Sequence, residues 1–126
     1  MRLRHHLNLV FDILTSRQDL TVERLATEET IAHAEGIVEG RVRFWDGSML
    51  EFVEVLVMRG LILTKIEYAY HYQDKDNRLI FRYDNAPHHP GISTFPHHKH
   101  SQQAVEAATP PHIGDVLREI DKFLYS

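Results

Sequence analysis

From residue 37 the side chains change to a period of two, with Val38, Gly40, Val42 and Phe44 on one face and Glu39, Arg41, Arg43 and Trp45 on the other. This period is typical of β-strands, because successive side chains of a strand point to opposite faces of the sheet. Turn signals interrupt the alternation at residues 46–47, 59–60 and 74–77. Loops this short join antiparallel strands, since a parallel pair needs a long crossover. The pattern therefore predicts an antiparallel meander with strands at residues 37–45, 49–58, 61–73 and 78–84.

Three further segments add to this prediction. The strand at 49–58 is almost continuously apolar, which indicates a central strand covered on both faces. Residues 19–31 are ambiguous between helix and strand, and we favour an edge strand there. The polar segment 101–108 fits either a short helix or an ordered loop.

Apolar side chains at helical spacing lie at both ends of the chain. They recur every three or four residues from Leu3 to Leu14, which predicts a first helix over residues 2–16. A second stripe predicts a terminal helix over residues 111–124, and the threonine and prolines at its start are typical of a helix N-terminus. We expect one α+β domain spanning residues 1–126. It consists of an antiparallel meander sheet of four to five strands, with an N-terminal and a C-terminal helix.

Composition limits the classes of function. The chain has 126 residues, no cysteine and a formal net charge of -4 with neutral histidines. Disulfides and thiolate zinc sites are excluded, and the mild acidity argues against a strong non-specific grip on nucleic acid. No apolar run reaches the roughly 18 residues of a membrane helix, and an amphipathic stretch stands where a signal peptide would have its apolar core. We therefore expect a cytoplasmic protein that does not bind membranes.

The last hairpin of the meander divides its side chains between two faces. A two- or four-residue loop makes paired residue numbers add to an odd sum, whereas a three-residue loop would break this assignment. The predicted core face then carries Tyr68, Tyr70, Tyr72, Leu79, Phe81 and Tyr83. The opposite face carries Glu67, His71, Ile80, Arg82 and Asp84. This second face leads directly into a histidine-rich segment.

Six of the ten histidines lie between His71 and His100, and five of them fall in the thirteen residues from 88 to 100. Three prolines stiffen the segment 84–100, which contains these five histidines, by fixing φ at residues 87, 90 and 96. Histidine exchanges protons near neutral pH and is also the commonest metal ligand. We therefore place the candidate functional site here.

Four interpretations of this cluster remain open. The first is metal-free acid–base cleavage of RNA, in which two histidines move protons and Arg82 or Lys99 stabilises the phosphate. The second is a metal site, because neutral imidazoles with Asp84 suit zinc, nickel or iron(II). The third is contact with nucleic acid or protein without chemistry. The fourth is a solvated, proline-rich loop.

The metal interpretation carries a geometric condition. The cluster lacks the two-histidine helical spacing of zinc hydrolases, so the sequence signal for a metal is weak. Three or more imidazoles converge only if the chain folds back on itself at Gly91. We expect no cofactor, and keep a divalent metal as an alternative.

Three motifs in this region carry a family resemblance. They are Tyr-His-Tyr-Gln-Asp at 70–74, Arg-Tyr-Asp-Asn-Ala-Pro-His-His-Pro at 82–90 and Phe-Pro-His-His-Lys-His at 95–100. Together they resemble the TumE family of prokaryotic toxin–antitoxin proteins, and the likeness covers most of the chain after about residue 20. The resemblance implies a small toxin, encoded beside a helix-turn-helix antitoxin that neutralises it, with RNA cleavage as the expected activity. The motif residues present are His71, Arg82, Asp84, Asn85, His88, His89, His97, His98 and His100.

The resemblance implies a type II toxin, and together with the clustered histidines it leads us to expect a ribonuclease that acts on RNA. In this hypothesis His88 or His89 is an acid or base paired with one of His97, His98 and His100. Arg82 binds the phosphate, and Asp84 orients an imidazole. The candidate catalytic residues are His71, Arg82, Asp84, His88, His89, His97, His98 and His100. The alternatives are a non-enzymatic binding module and a metal-dependent hydrolase, and a homodimer is a further alternative for the assembly.

Overall fold

The structure is a computed structural model that describes residues 2–32 and 34–126. Two helices enclose the strands in sequence. The helices are α1 (Leu3–Thr15) and α2 (Ile113–Leu124). The strands are β1 (Leu20–Glu29), β2 (Glu35–Phe44), β3 (Met49–Arg59), β4 (Ile62–Gln73), β5 (Leu79–Asp84), β6 (His98–His100) and β7 (Val105–Ala107). Both helices lie within two residues of their predicted bounds, and neither is long and apolar enough to cross a membrane.

Within the described residues, seven strands form one antiparallel sheet, and their spatial order follows the chain from β1 to β7. The α+β class and the meander are as predicted, and β1 is the predicted edge strand. The predicted number of four to five strands is wrong. The additional strands are β6 and β7, which lie in segments expected to be loop or short helix. They form because β5 offers an unpaired edge of backbone groups, a tertiary effect that a three-residue strand does not show as periodicity.

Both helices pack on one face of the sheet, which we call the helix face. Helix α1 buries four of its side chains and α2 buries five. The strands supply the other half of the core with Val38, Val42, Phe44, Leu50, Phe52, Leu56, Tyr68, Tyr70, Tyr72 and Phe81. The alternating tyrosines of β4 are therefore core residues.

The opposite side of the sheet, which we call the open face, is less covered. On β3 its residues Val53, Val55 and Val57 are only half-buried, whereas Phe52 and Leu56 on the helix face are buried. The prediction that this strand is covered on both faces is therefore wrong. Apolar residues occur on both faces of β3 because Val53, on the open face, lines a cleft.

The β4–β5 hairpin sets the faces of the candidate site. His71 pairs with Arg82, and Tyr72 pairs with Phe81, as the odd-sum rule predicts. A register shift after Tyr72 pairs Gln73 with Leu79, so the rule fails nearest the turn. His71 and Arg82 consequently share the open face.

Candidate active site

The site begins with the pairing of β5 and β6. Arg82 lies opposite His100 and Asp84 lies opposite His98. Directly opposed residues share a face of the sheet, and their side chains lie close together. The short strand β6 thereby fixes two imidazoles beside an arginine and a carboxylate on the open face.

The loop between β5 and β6 adds a third imidazole. It turns at residues 89–92, where the Ile92 amide donates to the His89 carbonyl at 3.2 Å. The chain therefore folds back around Gly91, as convergence of the imidazoles requires. The His89 ring centroid lies 4.9 Å from that of His98 and 5.5 Å from that of His100. We call His89, His98 and His100 the imidazole cluster.

Asn85 anchors the start of this loop to β4. Its side-chain amide donates to the Ile66 carbonyl at 3.0 Å, and its side-chain oxygen accepts from the Tyr68 amide at 3.1 Å. These bonds span a register shift in the β3–β4 ladder, where Ile66 has no partner in the β3 register. Asn85 therefore positions the loop through the backbone and does not itself enter the imidazole cluster.

Asp84 is the buried centre of the site. Its Oδ1 lies 2.9 Å from His98 Nε2 and accepts from the Ala86 amide at 3.0 Å. Its Oδ2 lies 3.6 Å from His100 Nε2 and accepts from Arg82 Nε at 3.0 Å. One carboxylate thus orients an arginine, two imidazoles and the first turn of the loop.

The two strand-borne imidazoles differ in their surroundings. His98 is buried, and its Nδ1 donates to the Pro96 carbonyl at 2.8 Å. His100 is half-buried, and its pKa is lowered. Burial is the largest cause, Asp84 acts in the opposite sense, and the neighbouring imidazoles and Arg82 lower the pKa further. At neutral pH His100 therefore carries a lone pair that can accept a proton or bind a metal.

Arg82 connects the imidazole cluster to His71. Its Nη1 lies 3.4 Å from His71 Nδ1, and His71 Nε2 lies 3.0 Å from Gln73 Oε1. The arginine side chain is 40% exposed, which leaves part of the guanidinium free to meet a ligand. It also lines two adjoining clefts on the open face.

The cleft above the imidazole cluster has a volume of about 590 Å³, which is in the range of small-ligand sites. Arg82, Asp84, His88 and the imidazole cluster line it. His88 is exposed within this lining. Val53 and Ala69 lie between the two clefts, since they line both. Sequence reasoning did not include Ala69, although it shares the parity of His71 and its small side chain leaves space opposite Asp84.

Two residues of the histidine-rich segment lie elsewhere. The His97 ring stacks on Tyr68 at 5.8 Å, and its Nδ1 lies 3.0 Å from the Tyr68 hydroxyl, so it joins the helix-face core. Lys99 also points to the helix face, where its Nζ donates to Glu119 at 2.7 Å. The structure therefore brings together His71, Arg82, Asp84, His88, His89, His98 and His100, but not His97 or Lys99.

Comparison with known proteins gives a family match. A family model described as Toxin TumE matches residues 10–124, which include both clefts and all of the sheet. The match begins about ten residues before residue 20, from which the resemblance was predicted, and takes in only residues 10–15 of the first helix. Searches of curated proteins and of solved structures gave no match. The match covers nearly the whole chain, and the chain belongs to the TumE family of toxins.

Proposed function

We propose that this TumE-family protein is the toxin of a two-gene toxin–antitoxin pair and that it cleaves RNA in the cleft above the imidazole cluster. The observation that carries the proposal is the convergence of Arg82, His88 and the imidazole cluster on that cleft. A partly exposed guanidinium beside several imidazoles supplies a phosphate-binding group and proton carriers at one place. Membership of a toxin family supports the biological role.

The proposed chemistry is an internal transesterification. The 2′-hydroxyl of RNA loses its proton to the imidazole cluster, and the resulting oxygen attacks the neighbouring phosphorus. The bond from phosphorus to the 5′-oxygen breaks, and His88 donates a proton to that leaving oxygen. The products are a 2′,3′-cyclic phosphate and a free 5′-hydroxyl. Arg82 stabilises the charge that develops on the phosphoryl oxygens, while Asp84 holds Arg82 and His98 in place.

The charges around the cleft favour a short, flexible strand as substrate. Beyond Arg82, the neighbouring cleft contains Arg24 and Arg41, but Glu39 and Glu51 pair with them. The net charge of -4 adds no long-range attraction for a polyanion. Local contacts to a few nucleotides of free RNA therefore suit this surface better than a large folded RNA.

Growth of a bacterial host tests the proposal. Induction of the chain alone in the cytoplasm should arrest growth. Co-expression of an adjacent helix-turn-helix gene should relieve that arrest. His88→Ala should abolish the toxicity, because loss of an acid or base costs about 10²–10⁴ in rate. His5→Ala is the matched control, since His5 is an exposed histidine on α1, far from the cleft in sequence and on an element of the helix face.

Two outcomes would contradict the proposal. If His88→Ala remained as toxic as the parent while His5→Ala behaved identically, His88 would have no part in the chemistry. If the parent arrested growth but left cellular RNA intact, the non-enzymatic binding module would replace the ribonuclease.

A further inference from the structure

We propose that Asp84 and the imidazole cluster form a binding site for one divalent metal ion of the zinc class. One ring nitrogen from each of His89, His98 and His100 lies within 4.8 Å of the others. The Asp84 carboxylate lies against two of these rings. Three imidazoles and a carboxylate are a donor set typical of zinc, nickel and iron(II) sites.

The hydrogen bonding of His98 is the first argument. The Pro96 carbonyl can only accept, so His98 Nδ1, which lies 2.8 Å away, carries a proton. In a neutral imidazole Nε2 is then a lone pair. That lone pair lies 2.9 Å from Asp84 Oδ1, which is also an acceptor. Two buried acceptors at this distance require a cation between them, either a proton or a metal ion.

The hydrogen bond from His98 Nδ1 to the Pro96 carbonyl is also typical of a metal-binding histidine. Such residues usually donate their second ring nitrogen to a backbone carbonyl or a carboxylate, which fixes the tautomer and aims the other nitrogen at the metal. The Pro96 carbonyl does this for His98. Pro96 lies two residues before His98 in the chain, so the backbone itself fixes the orientation of the ring.

The spacing of the donors is the second argument. Ligands at about 2.0–2.1 Å from a tetrahedral zinc ion are separated by about 3.3–3.4 Å from one another. The two distances from Asp84 oxygens to His98 Nε2 and His100 Nε2 are 2.9 Å and 3.6 Å, which bracket this value. The ring nitrogens of the imidazole cluster lie within 4.8 Å of one another, so the three rings would move closer together to close around one ion.

A proton shared between His98 and Asp84 does not account for the two further imidazoles, His89 and His100. It would make His98 an imidazolium paired with Asp84, and that pair needs no further nitrogen donor. Yet His89 and His100 both lie against His98, with ring centroids 4.9 Å and 4.7 Å away, and Arg82 already pairs with the carboxylate. A divalent ion uses all of these lone pairs at once.

Metal binding itself stands on this geometry, whereas its use in catalysis rests on the proposed function. In that function the ion would take over the role of the imidazoles as the group that activates the 2′-oxygen of RNA: it would bind that oxygen and favour its ionised form, as metals do for bound water, and the proton would pass to solvent water. His88, which lies outside the imidazole cluster, would remain the proton donor to the leaving oxygen.

Direct metal titration tests the site. Untagged protein is stripped with a chelator and titrated with Zn²⁺ by calorimetry and with Co²⁺ by visible absorption. The parent should bind one equivalent of each. His98→Ala and His100→Ala should weaken binding at least tenfold, because even outer partners of a metal ligand are worth 10–100-fold in affinity.

Two further variants keep the test independent of folding. His89→Ala removes a loop ligand that belongs to no strand, so it should weaken binding while circular dichroism stays unchanged. His97→Ala is the matched control, because His97 precedes β6 but contacts Tyr68 on the helix face. It should bind Zn²⁺ as the parent does.

The outcomes separate this inference from the proposed function. If the parent binds neither ion at one equivalent, or if His89→Ala and His100→Ala bind as the parent does, the metal site is refuted. If the protein binds zinc but leaves RNA intact, the metal site stands and the ribonuclease fails. If the stripped protein still cleaves RNA with a chelator present, the ribonuclease stands and the metal has no part in it.

Discussion

Arg82 is the residue that joins the two halves of the candidate site. Its guanidinium reaches Asp84 on one side and His71 on the other, and part of it remains exposed between the two clefts. The carboxylate fixes the orientation of the guanidinium, so the phosphate of the proposed substrate would meet a side chain that is already ordered. This arrangement depends on the register of β5 between β4 and β6, because Arg82 is opposed by a histidine on each side.

A second titratable group, Glu54, lies on the helix face away from the site. It is 1% exposed and accepts from the Tyr70 hydroxyl, with His6 Nε2 at 2.7 Å and Lys65 Nζ at 3.9 Å. Burial alone would raise the pKa of Glu54, but the hydrogen bonds from His6 and Tyr70 and the charge of Lys65 together lower it. The folded protein therefore favours the ionised carboxylate more than the unfolded chain does.

The lowered pKa of Glu54 predicts that the stability of the protein decreases as the solution becomes acidic. A carboxyl group whose folded pKa is depressed stabilises the protein above its unfolded pKa and loses that contribution as pH falls through the folded pKa. Glu54→Gln should therefore lower the free energy of unfolding at neutral pH by about 3–5 kcal/mol, because it leaves Lys65 without its buried counter-charge. It should also flatten the fall of stability below about pH 4.5, the ordinary value for this group. Denaturant titrations at several pH values measure both effects.

Glu51→Gln is the matched control for this prediction. Glu51 lies on the same strand but on the open face, where it forms an exposed pair with Arg41. Exposed pairs of this kind contribute about 0–1 kcal/mol. If the two variants had equal stability at every pH, the account of the Glu54 cluster would be wrong.

At the scale of elements, the sequence predicts what is periodic. The period of two that begins at residue 37, the nearly continuous apolar run at 49–58 and the turn signals predicted β2 to β5, and the apolar stripes predicted both helices. β6 and β7 have three residues each, too few to show a period. Their pairing is decided by the edge of β5, which is a tertiary interaction. The sequence therefore located the histidines but left open which of them share a face.

The contrast between His97 and His98 shows this limit. They are adjacent in the chain, and composition gives no reason to separate them. Once β6 begins at His98, that residue points to the open face beside Asp84, while His97 stacks on Tyr68. The face of each histidine follows from the strand, and the strand itself is not predictable from three residues.

One tight contact within the sheet gives a prediction for the elements. Gly40 on β2 pairs with Phe52 on β3, and a Cβ added at Gly40 would lie 2.7 Å from the Phe52 ring. That ring also stacks on Tyr70 at 6.3 Å, so it has little room to move. Gly40→Ala should therefore destabilise the protein by about 1–3 kcal/mol through overpacking. Denaturant unfolding measures this cost.

Gly91→Ala provides the comparison. Gly91 lies in the turn of the histidine-rich loop, and a Cβ there would have nothing within 4 Å. The free energy of unfolding of Gly91→Ala should therefore match that of the parent. Equal stability of the two alanine variants would contradict the close packing of β2 on Phe52.

At the scale of the whole molecule, the sheet separates the packed core from the candidate site. The helices and most of the aromatic side chains are packed on the helix face, while His71, His88, the imidazole cluster, Arg82 and Asp84 line clefts on the open face. Substitutions in the clefts therefore remove few core contacts, which makes loss of activity distinguishable from loss of folding. The family match spans residues 10–124 and so includes both faces.

Cleavage of a defined RNA by the purified protein tests the central claim most directly. The substrates are a short RNA and the same sequence in which each 2′-hydroxyl is replaced by hydrogen. The account predicts that the RNA is cut to products ending in a 2′,3′-cyclic phosphate and that the deoxy strand stays intact. Arg82→Lys should lower the rate by about 10²–10³, because a lysine cannot reproduce the fixed guanidinium, whereas Arg78→Lys in the exposed turn should not. Cleavage of both strands at equal rates, or an intact RNA after long incubation with folded protein, would contradict it.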